Sequence, residues 1–306
     1  MADLNNILTT LSNEGLIQPP KWLIEDSQFL VIMGSNAYGV SSDTSDMDIY
    51  GWCIPPKRIT LPHTAGFIPG FGPQGEVFGQ WQQHHIHHED REYDFSVYNV
   101  IKYFDLVANC NPNMIDSLFV PRRCVIKTTA IGEHVRANRK MFLSTKVLHS
   151  FKGYAFKQKH LMEVKNFPNS PKRAEDVEKH GYSTKFAYHL VRLLSELEQI
   201  LEDGDLDLEH APRREMMKAI RRGDWVLDDI QKWFADKERQ VDRLAESSTL
   251  TKKVRWDEIR RLLYEVLEMR YGSLSAAEIA DPNLASTVIQ QLWDTLQSNK
   301  GKLGLQ

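Results

Sequence analysis

Residues 28–54 read QFLVIMGSNAYGVSSDTSDMDIYGWCI. The apolar run from Gln28 to Met33 stops at Gly34, which predicts a buried strand ending in a turn. A second strand is predicted from Asp46 to Ile54, where polar and apolar residues alternate until the pair Pro55-Pro56 ends it. Each polar position has a chemical use. Gly34 lacks a side chain, so a triphosphate can come close to the backbone. Exposed N–H groups after it, helped by a helix N-terminus, suit an anion, and Ser35 adds a hydroxyl donor. Asp46 and Asp48 are two apart on a strand and leave the same face, while Met47 and Ile49 turn to the core. Carboxylates placed so can share a pair of Mg²⁺ ions. Without a cation, a strand disfavours like charges on one face.

Phosphoryl transfer with two metal ions calls for a third acidic ligand on a neighbouring strand. The alternating stretch Glu92-Tyr-Asp-Phe-Ser-Val97 supplies Asp94, with Glu92 on the same face as the second choice. On this reading Asp46 and Asp48 bridge both ions and the nucleotide phosphates, and Asp94 serves the ion beside the acceptor hydroxyl.

The surrounding chain reads as two parts. Up to about residue 140, strand and helix signals mix, with a helix over 97–108, a weak strand at 125–128 and a Pro/Gly-rich loop or wide hairpin over 55–75. Beyond it, helices are expected at 145–164, 183–201, 212–222, 224–246, 254–270 and 285–298, with a charged loop at 167–181. The expected architecture is α+β: a catalytic domain over 1–140, then an all-helical substrate-binding domain over 141–306.

The chain has 306 residues, 42% hydrophobic and 26% charged, with a net charge of -3. Such a composition is ordinary for a soluble protein and gives no global pull toward nucleic acid. Nothing approaches a membrane span. The N-terminus lacks signal-peptide character and reads as an amphipathic helix with Leu4, Ile7, Leu8 and Leu11 on one stripe. Three cysteines without CxxC spacing, Cys53, Cys110 and Cys124, point to a reducing cytoplasm.

Outside the first motif, Lys185, His189 and Arg192 repeat on one side of a helix beside the apolar stripe of Phe186, Leu190, Leu193 and Leu194. If that helix packs over the sheet, Lys185 and Arg192 can hold phosphates. Lys152, Lys157 and Lys159 interleave with Tyr154 and Phe156, a pattern open to nucleic-acid contact or to plain amphipathic packing. Asn113 is expected to cap a helix. Tyr38 can stack on a base or pack, with no basis to choose. His84, His85, His87 and His88 suggest a metal, but strand neighbours point to opposite faces, so at most two converge. A polar hairpin is the simpler expectation, with Glu89 to Glu92 as its solvated turn.

The Gly34-Ser35 pair, Asp46-x-Asp48 and a distant third carboxylate together resemble the nucleotidyltransferase superfamily typified by DNA polymerase beta. Residues 34–56 resemble more closely a bacterial and phage family of nucleotidyltransferases associated with RNA repair. The blocks CNPNMIDSLF (110–119), FKGYAFKQ (151–158) and YSTKFAYHLVRLL (182–194) fit that family's pattern, so the likeness runs from about residue 30 to 200. The resemblance implies a mixed sheet flanked by helices. It also implies an NTP such as ATP as donor, Mg²⁺ or Mn²⁺ as cofactor, and an RNA 3′ end, damaged tRNA among them, as acceptor. Two rivals stand beside it: nucleotidylation of a protein side chain, and an inactive nucleotide- or RNA-binding module.

Overall fold

The computed structural model describes residues 6–41, 45–61, 77–164, 167, 170–272 and 284–299. Leu4 and most of the expected loop at 55–75 lie outside these residues. Helices α1 (Ile7–Asn13) and α2 (Leu23–Asp26) lead into strand β1 (Ser27–Ile32), and a single helical turn, α3 (Gly34–Ala37), follows it. Strand β2 (Met47–Cys53) comes next, then the short α4 (Lys57–Thr60). A hairpin of β3 (Gln80–His88) and β4 (Arg91–Asn99) precedes α5 (Val100–Ala108), α6 (Pro112–Phe119), β5 (Val125–Thr128) and α7 (Ala130–Ala137). The rest is helical: α8 (Val147–Glu163), α9 (Pro171–His180), α10 (Thr184–Asp203), α11 (Ala211–Arg222), α12 (Leu227–Ser247), α13 (Trp256–Tyr271) and α14 (Leu284–Ser298). The architecture is α+β, a mixed sheet flanked by helices and followed by a helical region.

The five strands lie in the order β3-β4-β2-β1-β5. β2 and β4 run parallel, and the other neighbours are antiparallel. β1 is buried throughout, as its unbroken apolar run requires. β2 and β4 alternate at their starts. Met47, Ile49, Tyr93 and Phe95 are buried on one face, leaving the acidic residues between them on the other. In the helical region α10 packs against α8, α11 and α12.

The chain folds into two compact units, Met1–Pro55 with Phe78–Arg270, and Pro56–Val77 with Tyr271–Gln306. The expected division at residue 140 falls inside the first unit, where it marks the change from sheet to helix. In the second unit the Lys57 ammonium stands 6.0 Å from the centre of the Tyr271 ring.

Three local expectations change. The segment 167–181 holds helix α9, because Pro171 sits in its first turn and Gly181, at φ +78, stops it. Asn111, not Asn113, caps α6: its side chain accepts from Met114 N at 3.3 Å, and Pro112 opens the helix. The solvated turn is confined to Glu89 and Asp90, since Arg91 and Glu92 pair with β3. Cys53, Cys110 and Cys124 are free and buried. Among the described residues no helix is long and apolar enough to cross a membrane.

Candidate active site

β1 ends against β2 through Met33 N, which donates to Asp48 O at 2.7 Å. The chain then turns at Gly34, whose φ of +64 lies in the left-handed region. A Cβ there would come within 2.1 Å of Asp48 Oδ2. Position 34 therefore favours glycine, both for its backbone and because the Asp48 carboxylate rests against it. Ser35 follows, half-buried, and its carbonyl accepts from Val40 N at 3.0 Å to close the turn. Asn36 Nδ2 reaches the carbonyl of Asp46 at 3.4 Å, and Arg123 Nη2 donates to Asn36 O at 2.8 Å.

The parallel pairing of β2 and β4 puts Asp48 directly opposite Asp94, and Met47 opposite Tyr93. Asp48 of β2 and Glu92 and Asp94 of β4 thus occupy one face of adjacent strands, with Asp46 just before β2, and the paired apolar residues fill the other face. Asp94 Oδ1 accepts from His85 N at 2.7 Å and lies 3.6 Å from His84 Nδ1.

Asp46 and Asp48 open onto a cleft of about 530 Å³, a size suited to a small ligand. Gly34, Ser35, Ser45, Asp46 and Asp48 line one side, and Thr184, Lys185, Tyr188 and His189 of α10 line the other with Arg221 of α11. Burial, then the charges of Asp94 and Asp46, push the Asp48 carboxyl up to about 6, against the pull of Lys185 and His84. Burial and the surrounding charges of Arg192, Lys185, Arg221 and Arg173 hold His189 well below the usual imidazole range, so it is neutral. Tyr50, next along the Asp48 face of β2, is pushed up to about 12, chiefly by burial.

Of the residues expected from sequence, Gly34, Ser35, Asp46, Asp48 and Lys185 meet in the cleft, and Asp94 adjoins Asp48 in the sheet. Arg192 is not in the cleft. It is 4% exposed and ion-paired to Asp116 and Glu196, both fully buried, and it also donates to Tyr38 Oη at 2.5 Å. Tyr38 accordingly packs: it is 3% exposed and donates to Asp116 Oδ2 at 2.7 Å. Lys152 is paired with Asp242 and Glu238 at 2.9 and 3.1 Å, so it presents no free cation. Sequence reasoning missed Arg221, since α11 carries no local signal tying it to the Gly34 turn, and it passed over Tyr188, which lies between Lys185 and His189 on α10. Arg221 donates to Val40 O at 2.9 Å, with its guanidinium 5.6 Å from the centre of the Tyr188 ring.

Residues 27–269 match the model of the RlaP family, described as the RNA repair pathway DNA polymerase beta family. No curated protein matches the chain. Among solved structures, a nucleotidyltransferase-like protein from Exiguobacterium sibiricum 255-15 aligns over 98% of this chain and 91% of that chain, at 10% identity and a TM-score of 0.29.

Proposed function

Because the chain belongs to the RNA repair pathway DNA polymerase beta family and is a nucleotidyltransferase, we propose that it moves a nucleoside monophosphate from an NTP to the 3′ hydroxyl of an RNA and releases pyrophosphate. The observation that carries this reading is the register of Asp48 against Asp94 beside the Gly34 turn.

The donor set suits a hard divalent cation. It consists of carboxylate oxygens, and burial with the charges of Asp94 and Asp46 pushes one of them, Asp48, up to about 6, a cost to its ionised form that a bound cation offsets. Asp46, Asp48 and Asp94 would hold Mg²⁺ or Mn²⁺, which when bound supplies charge neutralisation for the phosphates and activation of the attacking hydroxyl. The chain's own groups do the rest. The open backbone at Gly34 lets the polyphosphate settle, and the Ser35 hydroxyl donates to a phosphate oxygen. Lys185 and Arg221 balance the charge that gathers on the leaving pyrophosphate. Asp94, toward the β3 side of the sheet, faces the acceptor hydroxyl and its proton. The acceptor oxygen bonds to the α-phosphorus as the bond to the β-phosphate oxygen breaks.

RNA as acceptor draws support from a second groove, of about 450 Å³, at the start of α8 and before α13. Lys146, His149, Lys252 and Lys253 line it with Trp256, whose ring is 41% exposed. Cations beside an exposed aromatic suit a nucleic-acid strand, and they keep the basic surface local in a chain of net charge -3. The test is incubation with each labelled NTP in the presence of tRNA, other RNA and protein. Label in RNA is the expected result, and label in polypeptide alone would remove the RNA acceptor.

A further inference from the structure

β3 carries one residue more than β4 across their pairing, since Gln83 faces Phe95 while Ile86 faces Tyr93. The extra step is taken by His84 and His85. On a regular strand these neighbours would point to opposite faces, but a bulge re-aims side chains. Here both come to the acidic side. His84 Nδ1 lies 3.6 Å from Asp94 Oδ1, His85 Nδ1 meets Glu92 Oε1, and His85 N donates to Asp94 Oδ1. His85 has φ +57, a left-handed backbone uncommon outside glycine. One ligand atom each from His85, Glu92 and Asp94 lie within 4.8 Å of one another.

We infer that His85, Glu92 and Asp94 bind a first-row transition-metal ion, Mn²⁺ or Zn²⁺, in a site that shares Asp94 with the carboxylates of the cleft. The chemistry of the three donors selects the ion. Mg²⁺ keeps to oxygen, whereas an imidazole with two carboxylates suits the transition series. Three protein ligands leave positions open for water or a substrate oxygen. The site faces the same surface as Asp48, across the register that joins β4 to β2. A metal held there adjoins the reacting groups and gives the enzyme a preference among cations that oxygen ligands alone do not confer. This rests on the functional reading only in its use of Asp94; His85 and Glu92 are additional to it.

The test adds Mn²⁺ to the full chain and reads nitrogen coupling by pulsed electron paramagnetic resonance, alongside Mn²⁺ and Mg²⁺ titrations. Wild type should show coupling to one imidazole nitrogen. His85→Asn should remove it and weaken Mn²⁺ binding on the order of ten-fold or more, with Mg²⁺ binding unchanged. Asparagine tolerates the left-handed backbone, so the bulge survives in that variant. His84→Ala should keep the coupling. Mn²⁺ bound without nitrogen coupling, or coupling that persists in His85→Asn, overturns the site. Asp48→Asn separates the two ideas: a variant that still transfers nucleotide defeats the functional reading, while its nitrogen signal still decides this site.

Discussion

Two groups of carboxylates lie in the first unit, and they are neutralised in different ways. Asp116 and Glu196 are fully buried, and the protein brings its own cation to them: Arg192 pairs with both, and Tyr38 donates to Asp116. Burial pushes the Asp116 and Glu196 carboxyls up, and the Arg192 guanidinium pulls both back down. Asp48 lies opposite Asp94 on β2 and β4, with Glu92 on the same face and Asp46 just before β2, and Lys185 and His84 offset the charge of Asp48. The buried group is a closed account of charge. In the function proposed here an ion from solution balances the cleft group, and this separates a site from a structural ion pair.

The contrast can be broken from either side. The largest effect is expected from Asp48→Asn, which keeps the shape and removes a metal-binding charge. Transfer of labelled nucleotide should fall on the order of 10³-fold, while thermal denaturation shows no loss of stability, because a repelled carboxylate has gone. Arg192→Met should do the reverse. It leaves Asp116 buried without its partner and should destabilise the fold by about 3–5 kcal/mol, measured by urea unfolding.

Acidity sharpens the same contrast. Protons and divalent cations compete for Asp48, so Mg²⁺ affinity should hold above about pH 7 and weaken about ten-fold per pH unit below pH 6. For the metal-free protein the sign is opposite. The folded carboxyl, at about 6, lies above its ordinary value of 3.8, so its contribution to stability is complete below about pH 4 and is lost as pH rises through 6. Unfolding curves with and without Mg²⁺ across that window should diverge. The smallest effect belongs to Lys185→Ala: KM for the NTP should rise about ten-fold through loss of one charged contact, with unchanged unfolding. An unchanged KM would take Lys185 out of the phosphate site.

The sequence was most readable where local rules suffice. A glycine stop after an apolar run and two aspartates at strand spacing located the Gly34 turn and the Asp46–Asp48 face, and alternation offered Asp94 with Glu92 on the same face as second choice. Its position opposite Asp48 depends on a parallel register between strands far apart in the chain, which alternation cannot show. The same limit hid the histidines. Period-two reasoning sends His84 and His85 apart, and only the extra residue accommodated against β4 brings them together. Arg192 misled because helical spacing shows which side a residue faces but not what lies there. Its partner Asp116 comes from α6, a distant part of the chain. Helix α9 was missed for another reason: it is strongly charged with no helix-length apolar stripe, and its boundaries rest on Pro171 and Gly181.

Helix α10 lines the cleft with Lys185 and, two turns on, sinks Arg192 against Asp116 of α6. A rod keyed in this way cannot spin about its long axis. The heading of Lys185 is therefore set by an ion pair it never touches, the one that Arg192 makes with Asp116.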